Sequence, residues 1–185
     1  MQATRLRRGR NAAFVQADVS SEAGLGLRAT FVFMSALAST IRHDTAPRAA
    51  ERPPAPGAAT YIGPDSFFTG NFEFLDLPGA GAAEWRRWAR LRARDGLDPF
   101  VELMAIGDAL PPPALKLFGG PMVPLSSLNW QINLTMAAPV TQDGWWLLTA
   151  ATETARDGYS SQRMTIANAA GEPVADAMQA VAIFA

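Results

Sequence analysis

Apolar and polar residues alternate in several short segments of the chain, a pattern that is typical of strands with one buried face. In segment 123–136, apolar side chains point to one side and polar ones to the other: Leu128, Trp130, Ile132 and Leu134 against Ser127, Asn129, Gln131 and Asn133. Further strands are predicted at 67–77, 84–94, 145–155, 159–167 and 174–184. The chain from residue 61 onward is therefore predicted to form mainly β-structure.

One segment between these strands has helical spacing instead. Asp98 suits a helix N-cap, and Pro99 suits the first helical position. The apolar or small residues that follow are three or four positions apart, at Phe100, Leu103, Met104, Gly107 and Leu110. Three prolines, 111–113, cannot continue a helix. The pattern predicts that residues 99–110 form the only long helix.

The order of these elements predicts an α+β domain. Two strands precede the helix and four antiparallel strands follow it, between residues 121 and 184. Such a sheet can bury one face only by curving around its single long helix. The expected architecture is one antiparallel sheet wrapped around that helix.

The first 60 residues have a different pattern. Segments 12–19 and 27–34 are rich in β-forming residues and flank a glycine-containing turn, so they predict a hairpin. A hairpin alone is marginally stable in water. We therefore expect it to pair with the edge of the 61–185 sheet or with another subunit. Residues 41–60 contain many prolines and alanines and are predicted to be a linker.

Composition excludes several kinds of chemistry. The chain has no cysteine, and His43, in the linker, is its single histidine. Cysteine nucleophiles, disulfides, Ser/His/Asp relays and histidine-rich zinc sites are therefore excluded. Lys116 is the single lysine, which disfavours Schiff-base chemistry. We expect neither a cofactor nor a metal, and His43 is interpreted as a solvated loop residue.

Charge and hydropathy limit the partners. A net charge of −1 offers no basic surface for nucleic acid. No apolar run approaches the roughly 18 residues that cross a bilayer. The N-terminal arginines could also suit a transit peptide, but the strand pattern there is preferred. A cytoplasmic protein is expected, without nucleic-acid partners or a membrane span.

Three polar features, at four positions, are candidates for chemistry. Asp108 lies at the predicted helix end, where the helix dipole disfavours a carboxylate; the alternative is a solvated residue at a frayed end. Gln179 projects among apolar neighbours on the last strand, and either a core partner or a ligand would satisfy its amide. Ser126 and Ser127 begin a strand after a proline, where a turn role is the simpler interpretation.

A face of arginines forms a fourth candidate. Arg86, Arg90, Arg92 and Arg94 share one side of segment 84–94 with Trp88. These guanidinium groups would suit a phosphate-rich ligand such as coenzyme A. A solvated strand face with salt bridges is the competing interpretation.

These residues together resemble a known family. The run GDALPPP, the strand VPLSSLNWQI and the region GWWLLTAATETARDGYSSQRMTIANAAGEPVADAMQAVAIF resemble the second half of double hot-dog acyl-CoA thioesterases of the bacterial type II. RRGRNAAFVQADV and LRATFVFM resemble the last two strands of the family's first hot-dog. The resemblance implies a partial hot-dog over 1–40, the linker over 41–60 and a complete hot-dog over 61–185.

The resemblance also implies a function. In that family an Asp, a Thr or Ser, and a Gln hold the hydrolytic water near the thioester, which points to Asp108, Ser127 and Gln179, with Ser126 as the alternative hydroxyl. The expected function is hydrolysis of acyl-CoA to a free acid and CoA in fatty acid metabolism, without an acyl-enzyme. Arg90 and Arg92 become candidate substrate-binding residues, and a homo-oligomer is expected.

Other functions remain open from the sequence. A non-catalytic hot-dog that binds acyl-CoA, or that serves oligomerisation, would show the same fold. A hot-dog dehydratase is disfavoured, because that chemistry uses a histidine base and His43 lies in the predicted linker.

Overall fold

The computed structural model describes residues 1–120 and 123–184, and Pro121, Met122 and Ala185, which fall within predicted segments, lie outside the described residues. The chain divides into two compact units, 1–44 and 45–185. The first unit is a three-stranded antiparallel sheet of β1 (Gln2–Arg8), β2 (Ala12–Ser21) and β3 (Gly24–Met34).

Two features of this first sheet differ from the prediction. The predicted hairpin is present as β2 and β3, but a third strand, β1, pairs with β2. Its arginine-rich sequence conceals the strand pattern, since arginines occupy both faces. The expected pairing with the edge of the second sheet is wrong, because the strands of this unit hydrogen-bond within their own sheet. Pairing with another subunit stays a prediction.

The second unit contains a seven-stranded sheet in which every neighbouring pair is antiparallel. In chain order its strands are β4 (Tyr61–Ile62), β5 (Phe72–Asp76), β6 (Glu84–Leu91), β7 (Leu125–Leu134), β8 (Trp146–Arg156), β9 (Tyr159–Ala167) and β10 (Pro173–Ile183). Across the sheet they lie in the order β4-β5-β6-β8-β9-β10-β7. The predicted antiparallel sheet is confirmed, and β7 forms one of its edges.

Helix α1 (Pro99–Gly107) packs on one face of this sheet. Asp98 caps its N-terminus by accepting the amide of Phe100 at 2.9 Å. Leu103 and Ile106 have no exposed surface and join core residues of β5, β6, β8, β9 and β10. Among the described residues α1 is the single α-helix. No helix in this part of the chain is long and apolar enough to cross a membrane.

The helix is shorter than predicted, and its C-terminus explains why. It ends at Gly107 rather than at Leu110. To continue the helix, the backbone carbonyl groups of residues 107–109 would have to accept hydrogen bonds from the backbone amides of residues 111–113. Those residues are prolines, which have no amide hydrogen. The same prolines that were expected to end the helix therefore end it three residues earlier. This places Asp108 at the C-cap, with φ −100° and ψ 10°.

The segment 45–60 contacts the other face of the sheet through Ala49. Ala49 contacts a buried cluster of Trp88, Trp145, Leu147 and Ala167. Its amide donates to the carbonyl of Gly171 at 2.9 Å, and Arg48 pairs with Glu172 at 2.8 Å. At Gly171 a Cβ atom would lie 2.2 Å from the carbonyl oxygen of Ala49, so a side chain there would displace the segment.

Candidate active site

The structure brings Asp108, Ser127 and Gln179 together at one end of the helix-facing side of the sheet. The side-chain amide Nε2 of Gln179 donates to Oγ of Ser127 at 3.0 Å. The side chain of Gln179 also lies near the carboxyl group of Asp108, whose pKa it lowers. The amide of Gln179 thus connects two neighbouring strands beside the helix end, although the three residues are far apart in sequence.

The site lies between the core and solvent. Gln179 is 5% exposed, whereas Asp108 and Ser127 both retain solvent contact. A small molecule such as water can therefore reach the two oxygen-bearing groups while the amide between them is held by the core. The cluster therefore presents an exposed carboxyl group and an exposed hydroxyl group beside a buried amide donor.

A β-bulge decides which serine enters the site. Asn129 lies opposite Ala180, but Ser127 lies opposite Val181, so Leu128 is an extra residue on β7. The predicted alternation, with Ser127 on the side of Asn129 and Leu128 on the side of Trp130, is therefore wrong at this point. Ser127 instead shares the helix-facing side with the fully buried Val181. Ser126 lies opposite Ala182, on the other side.

The helix end controls the position of Asp108. At Gly107 a Cβ atom would lie 2.9 Å from Cζ2 of Trp130 and 3.4 Å from Cδ1 of Ile166. Glycine therefore lets the end of α1 approach the indole ring on β7. The group that approaches Gly107 closely is Trp130, the residue directly opposite Gln179 in the sheet.

The surroundings of Asp108 alter its basicity. Desolvation raises the pKa of this carboxyl group, and the nearby amide of Gln179 lowers it by a smaller amount, so the pKa lies above its ordinary value. Asp108 is nevertheless an exposed residue, so the desolvation is only partial. A carboxylate with a raised pKa accepts a proton more readily than an ordinary aspartate.

Gln162 is a neighbour of the site that the sequence analysis missed. It lies on β9 directly opposite Gln179 and has no exposed surface. Its Nε2 donates to Oε1 of Gln179 at 2.6 Å. The signal was present in the alternation of β9, where residues 160, 162, 164 and 166 are buried, because an amide at such a position needs a partner just as Gln179 does.

The candidate arginines lie elsewhere. Arg90 alternates with Ala89 and Leu91, which face α1, so it points to the opposite face of the sheet. It pairs there with Glu73, and its guanidinium lies 4.4 Å from the ring centroid of Trp145. Arg92 donates to the carbonyl of Gly70 at 2.8 Å. The structure does not bring these two arginines to the cluster around Gln179.

A family model named Acyl-CoA thioesterase C-terminal domain matches residues 41–183. No curated protein matches the sequence. Solved structures supply the fold. A conserved protein of unknown function with a hot-dog fold from Alicyclobacillus acidocaldarius has a TM-score of 0.77 at 17% identity, over 100% of this chain and 72% of that one.

Two further structures carry thioesterase descriptions. A proposed thioesterase II from Thermobifida fusca has a TM-score of 0.78 at 22% identity, over 100% of this chain and 71% of that one. Acyl-CoA thioesterase II TesB2 from Mycobacterium marinum has a TM-score of 0.69 at 16% identity, over 98% of this chain and 72% of that one. At these identities the likeness establishes the hot-dog fold.

Proposed function

We propose that this chain, which belongs to the acyl-CoA thioesterase C-terminal domain family, hydrolyses an acyl-CoA thioester to a carboxylic acid and free CoA. The residues proposed to act are Asp108, Ser127 and Gln179. The observation that carries the proposal is the hydrogen bond from the Gln179 amide to the Ser127 hydroxyl group at 3.0 Å, beside the carboxyl group of Asp108, whose pKa the same amide lowers.

The proposed reaction is a direct attack of water. Asp108 takes a proton from the water as its oxygen bonds to the thioester carbonyl carbon. Ser127 and Gln179 hold the water in line with that carbon, which is the positioning that general-base catalysis requires. When the tetrahedral intermediate collapses, the C–S bond breaks, and the proton passes to the departing thiolate. No covalent acyl-enzyme is formed.

The pKa of Asp108 supports this role. A base that is more easily protonated takes the proton from water more readily, and the raised pKa arises from desolvation beside the core. Arg90 and Arg92 are left out of the proposed site, because Arg90 is already paired on the opposite face and Arg92 is bound to a backbone carbonyl.

We also propose a homo-oligomer that acts in the cytoplasm, with a partial hot-dog over 1–40, a linker over 41–60 and a complete hot-dog over 61–185. The first sheet supports assembly, because Leu27 is 56% exposed and Phe33 is 58% exposed on the same side of β3. Apolar side chains with this exposure favour contact with another surface.

The test is release of free thiol from acyl-CoAs of increasing chain length. Activity on at least one member of this series supports the proposal. Binding of acyl-CoA without turnover, measured by calorimetry, would instead support a non-catalytic acyl-CoA-binding module. If neither turnover nor binding occurs, the proposal that this chain hydrolyses or binds acyl-CoA is wrong.

A further inference from the structure

The amide of Gln162 has an unusual environment for a core residue. It has no exposed surface, and its Nε2 lies 2.6 Å from Oε1 of Gln179 and 3.6 Å from Sδ of Met164. Both hydrogens of this amide are therefore directed at acceptors. Its own oxygen has no hydrogen-bond partner among the described residues.

This contact determines which end of the Gln179 amide faces the candidate site. Because Oε1 of Gln179 accepts the bond from Gln162, Nε2 of Gln179 is the end that donates to Ser127 and faces the site that contains Asp108. The reverse orientation of Gln179 would direct a carbonyl oxygen at the carboxylate of Asp108. It would also remove the donor to Ser127, so the two ends of the amide are not interchangeable.

We infer that Gln162 is a positioning residue for thioester hydrolysis, which orients the Gln179 amide toward Asp108 and Ser127 by donating to its oxygen. The inference rests on the proposed function for its effect on catalysis. The orientation itself is a property of the folded chain and can be measured without any substrate.

Packing alone does not account for a glutamine at this position. A buried amide oxygen without a partner reduces stability, and an apolar side chain of similar length would fill the same space without that cost. The core-facing neighbours of Gln162 on β9 are Ser160 on one side and Met164 on the other, followed by Ile166, so apolar side chains are accepted next to this position. A polar side chain that costs stability and directs a neighbour is typical of a functional site.

Gln162→Met tests the inference, because methionine keeps the length and volume but cannot donate. Gln131→Met is the matched control, since Gln131 lies on the exposed side of β7. Gln179→Met is the reference for complete loss of the amide. In all variants the pKa of the Asp108 carboxyl group is measured by carbon NMR, with its resonance identified by its absence in Asp108→Asn.

The expected result is an upward shift of the Asp108 pKa in Gln162→Met, in the same direction as in Gln179→Met, with no shift in Gln131→Met. A donor to the ionised form lowers a pKa, so loss of its orientation raises it. We expect kcat to fall by roughly 10-fold to 100-fold, the loss that is typical when a partner orienting a metal ligand is removed, since Gln162 likewise acts only through Gln179. KM should change little, because Gln162 does not touch the substrate.

An unchanged Asp108 pKa in Gln162→Met overturns the inference, and it does so even if kcat falls, because a purely structural defect would explain that loss. If the parent hydrolyses no acyl-CoA, the proposed function fails, while the NMR titration still decides whether Gln162 orients Gln179. These two failures are therefore distinguishable.

A measurement on the parent protein covers the case in which Gln162→Met does not fold. The side-chain NH₂ hydrogens of Gln162 should exchange with solvent much more slowly than those of the exposed Gln131. Exchange at the rate of Gln131 would show that the bond to Gln179 is not maintained, and the inference would then be wrong.

Discussion

Replacement of Asp108 by asparagine separates the catalytic proposal from a structural role. The substitution keeps the size of the side chain and an oxygen that can accept from Gln179, but it removes the basic carboxylate. If Asp108 deprotonates the water, hydrolysis should fall by roughly 10²–10⁴-fold, the usual contribution of a positioned general base. Release of free CoA thiol, followed at saturating acyl-CoA, measures this change.

The same substitution should not destabilise the protein at neutral pH. Asp108 stands at the C-terminus of α1, where a negative charge is disfavoured by about 0.3–1 kcal/mol. Its pKa is also raised by desolvation, so the folded state carries an additional cost for the ionised form. We expect the free energy of unfolding of Asp108→Asn to equal or exceed that of the parent, as measured by urea denaturation.

The pH dependence of this stability has a definite sign. The folded-state pKa of Asp108 lies above 3.8, the ordinary value expected for the unfolded chain, so the folded state binds this proton more tightly. The ionised carboxylate lowers the free energy of unfolding, and this effect is fully present above the folded-state pKa. The effect disappears as the pH falls below 3.8, where the carboxyl group is protonated in both states. The advantage of Asp108→Asn should decline over that same interval.

Asp95→Asn is the matched control, because Asp95 is an exposed loop residue outside the site. It should retain the parent rate and the parent pH dependence. Hydrolysis by Asp108→Asn at the parent rate would refute the role of Asp108 as the base. A large loss of stability at pH 7 would instead show that the carboxylate holds the helix end in place.

Three further predictions follow from the geometry. Ser127→Ala should lower kcat, since it removes the hydroxyl that accepts from Gln179, whereas Ser126→Ala should not; equal effects in a thiol-release assay would contradict the bulge-based assignment. Gly107→Ala should lower the free energy of unfolding, because the new Cβ would lie 2.9 Å from the Trp130 ring. The cost of this overpacking, about 1–3 kcal/mol, should exceed the gain in helix propensity of up to about 1 kcal/mol; a net stabilisation in urea denaturation would contradict this. Partial desolvation raises the pKa of Tyr61 to about 12 even beside Arg87, although 42% of the residue is exposed; ultraviolet titration should show this late ionisation, and Tyr61→Phe should abolish it.

The second unit was predictable because its signals are local. The alternation of the strands depends on side chains two residues apart, and the start of the helix depends on Asp98 and Pro99, which are adjacent. The helix end was predicted near the prolines but three residues too late, since the effect of a missing amide is felt four residues upstream. β1 was missed because its arginines mask any apolar periodicity.

The sequence by itself indicated a carboxylate at a helix end, an amide among apolar strand residues and a hydroxyl at a strand start as candidates for chemistry. It also excluded cysteine chemistry and argued against histidine chemistry, because the chain has no cysteine and has His43 as its single histidine. The resemblance drawn from it selected Asp108, Ser127 and Gln179. Only the tertiary structure decided that Ser127 rather than Ser126 contacts Gln179, because a bulge at Leu128 reverses the alternation and appears only when β7 is paired with β10. The structure also assigned Gln162 its partner and directed Arg90 to the opposite face. Strand register and the approach of α1 to Trp130 depend on contacts between residues distant in sequence, which local patterns do not encode.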